Sequence, residues 1–270
     1  MDATSRPLSQ VERHLAQAMA NISAGTDTWS KLVDDGFLMC NKMVSLYLSK
    51  CNAKADDADE PWTGAAISAW AKSDGQPGTA LDDGPDAKPF DDRLTFAITK
   101  ADQEIADWHA KLGKMIKLLQ SQFAKLQDAS VLVQVGLLNM PAPVSGLVFD
   151  LIKSDTLRDL VTDTVRMYAL DLALKLQLMG TLATLGSTSS TLTGMTAPYA
   201  SVLGQMEEEV PRPVLPAPTT NDIDRAELIN LMALWMYQPT VLRRHVAELR
   251  DVARLVKGMV GGSGAQGRRS

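Results

Sequence analysis

A chain of 270 residues is long enough for one large domain or two small ones around a real core. Hydrophobic residues make up 45% and charged residues 22%, the balance of a globular protein and not of a disordered one. Aromatics are few at 5% while methionines number 13, and a Leu, Ala and Met filling favours helix–helix interfaces, hence an all-α build.

The net charge of −5 is unevenly spread. Between Ala53 and Thr95 ten acids face four bases, a local −6, whereas Met236 to Ser270 carries seven Arg or Lys against two acids, a local +5. An acidic middle and a basic end are the pattern of a protein that meets an anionic surface locally. The opening "MDATSRPLSQ" has no apolar h-region and no Gly at position 2, so neither a signal peptide nor myristoylation is expected, and the reading is intracellular. The sequon Asn21-Ile22-Ser23 is then idle.

In chain order, Val11, Leu15, Ala18 and Ile22 mark a short amphipathic helix that Gly25 breaks. A helix follows from Thr28 to Cys51, with Trp29, Val33, Cys40, Val44, Tyr47 and Cys51 on one stripe. Cys40 and Cys51 are eleven residues apart. On one helix that is roughly 16 Å, too far for a disulfide, so they read as thiols in a reducing compartment. Residues 53–91, rich in Asp, Ala, Gly and Pro, read as a long acidic mobile loop, with "EPWTGAAISAW" returning Trp62 and Trp70 to the body.

The cleanest helix runs from about Asp92 to Asp128, its stripe Leu94, Ile98, Ala101, Ile105, Trp108, Leu112, Met115, Leu119, Phe123 and Leu126. Ser154-Asp155-Thr156 caps another long helix, to about Gly186. A Ser/Thr/Gly loop and a short segment from Tyr199 to Glu208 lead into a proline-rich linker, 209–221, the one plausible domain boundary. The body is therefore 1–208. Two helices, about Asp222 to Tyr237 and Pro239 to Met259, form a separate C-terminal helical hairpin over 222–260, followed by a flexible basic tail, 261–270. No internal repeat and no alternating strand pattern is present. The fold class is all-α, a multi-helix bundle.

Catalytic signatures are missing. No glycine-rich phosphate loop precedes a helix, and neither His-Glu-x-x-His nor Glu-x-x-His occurs. His14, His109 and His245 fall singly on separate helices, and Ser187, Ser189 and Ser190 lack a nucleophile elbow. Asp171, near the apolar stripe of its helix, reads as a local pair with Lys175 at i+4. No enzyme, cofactor or metal is expected.

Two features point to partners. On the last helix, Leu242, Val246, Leu249, Ala253, Val256 and Val260 fall within about 80° of arc at ~100° per residue. Arg243, Arg250, Arg254 and Lys257 flank that strip, and Arg268 and Arg269 follow in the tail. Such an edge can meet phosphate from lipid headgroups or ribonucleoprotein, without sequence specificity because no aromatic stacking platform accompanies it. It equally fits a solvated face with pairs such as Arg244–Glu248.

The second feature is "ASVLVQVGLLNMPAPVSGLVF", 129–149, uncharged between Asp128 and Asp150. Two prolines split it into arms too short to cross a bilayer, which takes about 20 residues. Its apolar residues are Val131, Leu132, Val133, Leu137, Leu138, Val144, Leu147, Val148 and Phe149. A buried helical hairpin is the leading reading; a membrane-inserting hairpin and a hydrophobic subunit contact are the alternatives.

"SGLVFDLI", Ser145 to Ile152, followed by a helix with Arg158 and Arg166, resembles the Gly-x-Val-Phe-x-Leu segment of orthomyxovirus-type matrix proteins. The resemblance covers about ten residues and carries over no binding residue. It implies a helical protein that coats the inner face of a virion envelope and holds ribonucleoprotein. The functional expectation is thus a non-enzymatic, self-associating assembly protein, peripheral to a membrane or within a virion. A pore-forming or translocator protein using the 129–149 hairpin is the alternative.

Overall fold

The structure, a computed structural model, describes residues 9–59, 90–140, 147–149, 151–183 and 225–263. Within them the protein is all-α. The helices are α1 (Gln10–Asp59), α2 (Phe90–Leu138), α3 (Ser154–Ala183), α4 (Arg225–Tyr237) and α5 (Arg243–Ser263). Between α2 and α3 lies a minimal antiparallel hairpin of β1 (Leu147–Val148) and β2 (Ile152–Lys153), with Leu147 opposite Lys153 and Val148 opposite Ile152.

α1 starts on a capping box. The Ser9 backbone N–H donates to Glu12 Oε2 at 2.7 Å, and the Glu12 N–H donates to Ser9 Oγ at 3.2 Å, satisfying two donors that the first turn leaves open. From there the helix runs unbroken for 50 residues, through Gly25 and past Cys51. The expected break at Gly25 is corrected by packing: α2 comes so close that a Cβ at position 25 would meet Leu126 Cδ2 at 2.6 Å. Close helix contact offsets the intrinsic cost of glycine in a helix, about 1 kcal/mol. The first residues of the expected acidic loop, 53–59, are helical as well; its remainder up to 89, with Trp62 and Trp70, lies outside the described residues.

The core positions explain why α1 and α2 pair lengthwise. Leu15, Ile22, Trp29, Gly36, Met43 and Lys50 recur every seven residues on α1, interleaved with Met19, Thr26, Val33, Cys40 and Tyr47, and all are buried. On α2 the same interval joins Ile105, Leu112, Leu119, Leu126 and Val133, all buried too. A sustained seven-residue repeat is the pattern that imposes coiled-coil packing. The register is antiparallel and nearly constant. Leu15 lies against Gly136, Gly25 against Leu126, and Lys50 bridges Asp102 across the helices.

α2 overruns its expected end at Asp128 by ten residues, so the first apolar arm of the 129–149 stretch is the last part of a long helix. After it, Phe149 adopts φ 55° in a turn that the Leu151 N–H closes on the Val148 carbonyl at 3.0 Å. A left-handed phenylalanine costs energy, and burial of its ring (5% exposed) holds it there.

α3 carries Leu157, Val161, Thr164, Tyr168, Asp171, Lys175 and Leu178 inward, steps of four and three that keep one face against α2, with Tyr168 and Asp171 reaching Trp29 of α1. α4 ends where Gln238 turns left-handed (φ 46°), and Pro239 sits in the connecting turn, not in the first turn of α5, which begins at Arg243. The C-terminal hairpin is not separate: Leu228, Trp235, Val246, Leu249 and Val256 belong to the same core as α1 to α3. α5 also continues to Ser263, into the expected tail. The linker 209–221 and the segment 184–208 lie outside the described residues.

Candidate functional site

A chain of linked polar groups, buried from Thr26 inward, starts and finishes in the C-terminal hairpin. On α5, Arg250 reaches Asp27 of α1 (Nη2 to Oδ1, 2.6 Å) and donates from Nε to Thr26 Oγ1 at 3.3 Å. Thr26 hydrogen-bonds the Tyr168 phenol, whose pKa burial pushes up to about 12. The Tyr168 ring meets Trp29 edge-on, with centroids 5.1 Å apart. The Trp29 indole N–H donates to Asp171 Oδ2 at 2.8 Å, and Lys175 Nζ donates to Asp171 Oδ1 at 2.6 Å. Lys175 also points at the Trp235 carbonyl of α4 (3.4 Å), while the Trp235 indole N–H returns to the Val33 carbonyl at 3.0 Å.

Asp171 and Lys175 are both 0% exposed. Burial pushes the carboxyl pKa up and the ammonium pKa down; each partner's charge opposes the other's shift. Four residues apart on one helix, the pair does not itself tie two helices together. It offers an acceptor to Trp29 on α1 and a donor to the open last turn of α4, where an ammonium complements unpaired carbonyls. Cys40 lies within range of Lys175, and burial pushes its thiol up to about 12, which keeps it protonated and inert. The expected i+4 pair is present; its complete burial and its partners, the Trp29 indole N–H and the Trp235 carbonyl, are what sequence spacing did not reveal.

The expected basic edge is divided. Arg243 and Lys257 are exposed. Arg254 is exposed and paired with Asp251 at 3.0 Å. Arg250 is turned inward onto Asp27 and Thr26, so it holds α5 to α1. Arg268 and Arg269 lie outside the described residues. Of the apolar strip beside them, Val246, Leu249, Ala253 and Val256 are buried against the body, while Leu242 is exposed. The Leu242 N–H donates to Met167 Sδ at 3.2 Å.

The apolar stretch is divided too. Val133, Val148 and Phe149 are in the core and Leu137 and Leu147 are half-buried. Val131 (55%), Leu132 (58%), Val135 (46%) and Leu138 (83%) face solvent. These four fall within about 120° of arc, so the end of α2 shows one uncharged apolar strip. A wholly buried helical hairpin is therefore corrected: the first arm is the end of a long helix whose free side stays open. Val144 lies outside the described residues.

No helix among the described residues is long and apolar enough to cross a membrane. No group of three or more His, Cys, Asp or Glu among them is placed to hold a metal ion. No protein-family model matches the chain, and neither a curated protein nor a solved structure does.

Proposed function

We propose that the chain is a non-enzymatic assembly protein that binds copies of itself through the free apolar end of α2. The observation that carries this reading is the exposed row Val131, Leu132, Val135 and Leu138. Solvent-facing apolar side chains in a contiguous strip mark interaction surfaces, and an isologous pairing of two such strips would cover both. The exposed cations Arg243, Arg254 and Lys257 supply a second contact, to an anionic membrane surface or a ribonucleoprotein, as in matrix-type proteins.

Sedimentation velocity over a concentration series tests the first contact. Wild type forms oligomers, and Leu132→Asp with Leu138→Asp is monomeric at unchanged helicity. A wild-type chain that stays monomeric throughout the series removes the self-association reading.

A second reading draws on the same row. A membrane-active protein would insert the α2 end and the apolar residues to Phe149, in the manner of helical pore-forming or translocator proteins. It predicts dye release from anionic vesicles that the same two aspartates abolish. Intact vesicles at every pH tested would eliminate it.

A further inference from the structure

The outer face of α2 changes character along its length. At ~100° per residue, Lys111, Lys114, Lys117 and Lys125 fall within about 120° of arc, and Leu132 and Val135 fall within the same arc. All six side chains are exposed. The lysines span roughly 21 Å of helix, and the apolar end from Val131 to Leu138 spans about 10 Å. From Trp108 to Gln127 the helix contains no Asp or Glu. Among the described residues none of these four lysines is in an ion pair. Lys111 lies over the Trp108 ring, 3.9 Å from its centroid.

We propose that this face of α2 docks on an anionic lipid bilayer. The lysines meet headgroup phosphates and carboxylates, and Leu132 and Val135 sink between the headgroups while the helix stays folded along the surface.

Three observations choose the occupant. The first is charge: a row of unpaired ammonium groups attracts a negative surface, and each stem lies along apolar material while its head stays with phosphate. The second is continuity. The row runs into an uncharged apolar strip on the same arc, with Asp128 the only charge between them. A bilayer offers phosphate and hydrocarbon side by side, whereas a nucleic acid would leave an aliphatic strip without a use. The third is density. On α5, Arg250 and Arg254 are engaged by Asp27 and Asp251, and Glu248 interrupts the edge, so α2 carries the less interrupted basic face. A second copy cannot cover all of it: laid parallel, lysines meet lysines, and reversed, they meet the apolar end. The proposal therefore does not rest on the self-assembly reading. A second copy covers the apolar end alone, and at an anionic surface the bilayer takes its place.

Flotation of the full-length chain with phosphatidylcholine vesicles, with and without phosphatidylserine, tests the proposal. The chain binds the phosphatidylserine vesicles and not the neutral ones, and rising salt weakens the binding. Lys114→Gln with Lys117→Gln and Lys125→Gln lowers partitioning about a hundredfold at unchanged helicity. Sedimentation velocity gives this variant the same oligomers as wild type, because the lysines lie outside the apolar end. A wild-type chain that is monomeric yet binds through the lysines supports the docking face and sinks self-assembly alone. A dye on Leu132→Cys, in a chain carrying Cys51→Ser, is quenched by brominated lipid chains on binding. Equal binding to neutral vesicles, or a glutamine variant that binds like wild type, overturns the proposal. So does a bound chain whose dye stays unquenched. Retention on RNA that the variant loses, with no vesicle binding by wild type, overturns it in favour of a nucleic-acid contact.

Discussion

The Trp235 indole occupies the space that Gly36 leaves on α1. A Cβ at position 36 would lie 2.5 Å from Cζ2 and 3.1 Å from Cε2 of that ring. The ring cannot retreat freely, because its own N–H is bonded to the Val33 carbonyl of the same helix at 3.0 Å. One missing side chain thus sets how near α4 comes to α1.

The three helical glycines near this frame are expected to respond differently to alanine. Nothing lies within 4 Å of a Cβ at Gly180, so Gly180→Ala stabilises by about 0.5–1 kcal/mol through helix propensity alone. At Gly25 the obstacle is the end of a flexible leucine, Leu126, which can give way, and the change is close to neutral. Gly36→Ala meets a tethered ring and destabilises by roughly 1–3 kcal/mol. Urea midpoints of the three variants check the ranking. A Gly36→Ala chain as stable as Gly180→Ala would refute the tight docking of Trp235.

A double-mutant cycle on the buried pair gives the second prediction. Lys175→Met leaves an unpaired carboxylate in the core, and Asp171→Leu leaves an unpaired ammonium. Each single change costs about 3–5 kcal/mol. The double variant removes both desolvated charges and loses only the partners of the Trp29 N–H and the Trp235 carbonyl, about 1 kcal/mol apiece. It is therefore more stable than either single variant, with a coupling of the sign that denotes mutual dependence. Additive losses would show that the pair does not act as one unit.

His109 gives the fold a pH dependence. Burial lowers its imidazole pKa from the ordinary 6.5, and its Nε2 is buried without a partner. A folded-state pKa below the unfolded one means that stability is fully present above about 6.5 and is lost as pH falls through the folded value. Carboxylates elsewhere also titrate in acid, so the informative quantity is the difference from His109→Gln. Wild type loses stability relative to that variant between about pH 7 and pH 5. Denaturation midpoints at the two pH values read it directly, and a constant difference would exclude the assignment.

The parts legible in the sequence were those fixed by local periodicity. On α2, Ala101, Ile105, Leu112, Met115, Leu119, Phe123 and Leu126 are buried where the three-four spacing puts them, with Ile98 and Trp108 half-buried. The start of α3 at Ser154 was legible from its cap. Gly25 misled because propensity is a property of the isolated helix, whereas its cost is offset by Leu126, 101 positions away. Arg250 misled for a related reason. A helical wheel gives the angle of a side chain but not the position of Asp27, and so could not distinguish a tether from a free cation. The Trp29–Asp171 bond joins residues 142 apart, beyond the reach of any spacing rule.

That distinction between tether and free cation gives the last prediction. Arg250 serves the fold: its side chain is about one-third exposed and bridges α5 to α1 through Asp27 and Thr26. Arg250→Ala lowers stability, by up to about 1 kcal/mol for the ion pair with Asp27 being partly exposed, and loosens α5. Arg243→Glu with Lys257→Glu leaves stability nearly unchanged, since both side chains are exposed. The same double reversal weakens flotation with anionic vesicles and retention on RNA, and weakens them less as salt is raised, because screening already removes the attraction. Thermal melts and flotation on the same preparations separate the two roles. If reversal at Arg243 and Lys257 leaves vesicle and RNA binding intact, the basic edge of α5 is a solvated face and the anionic-surface contact falls.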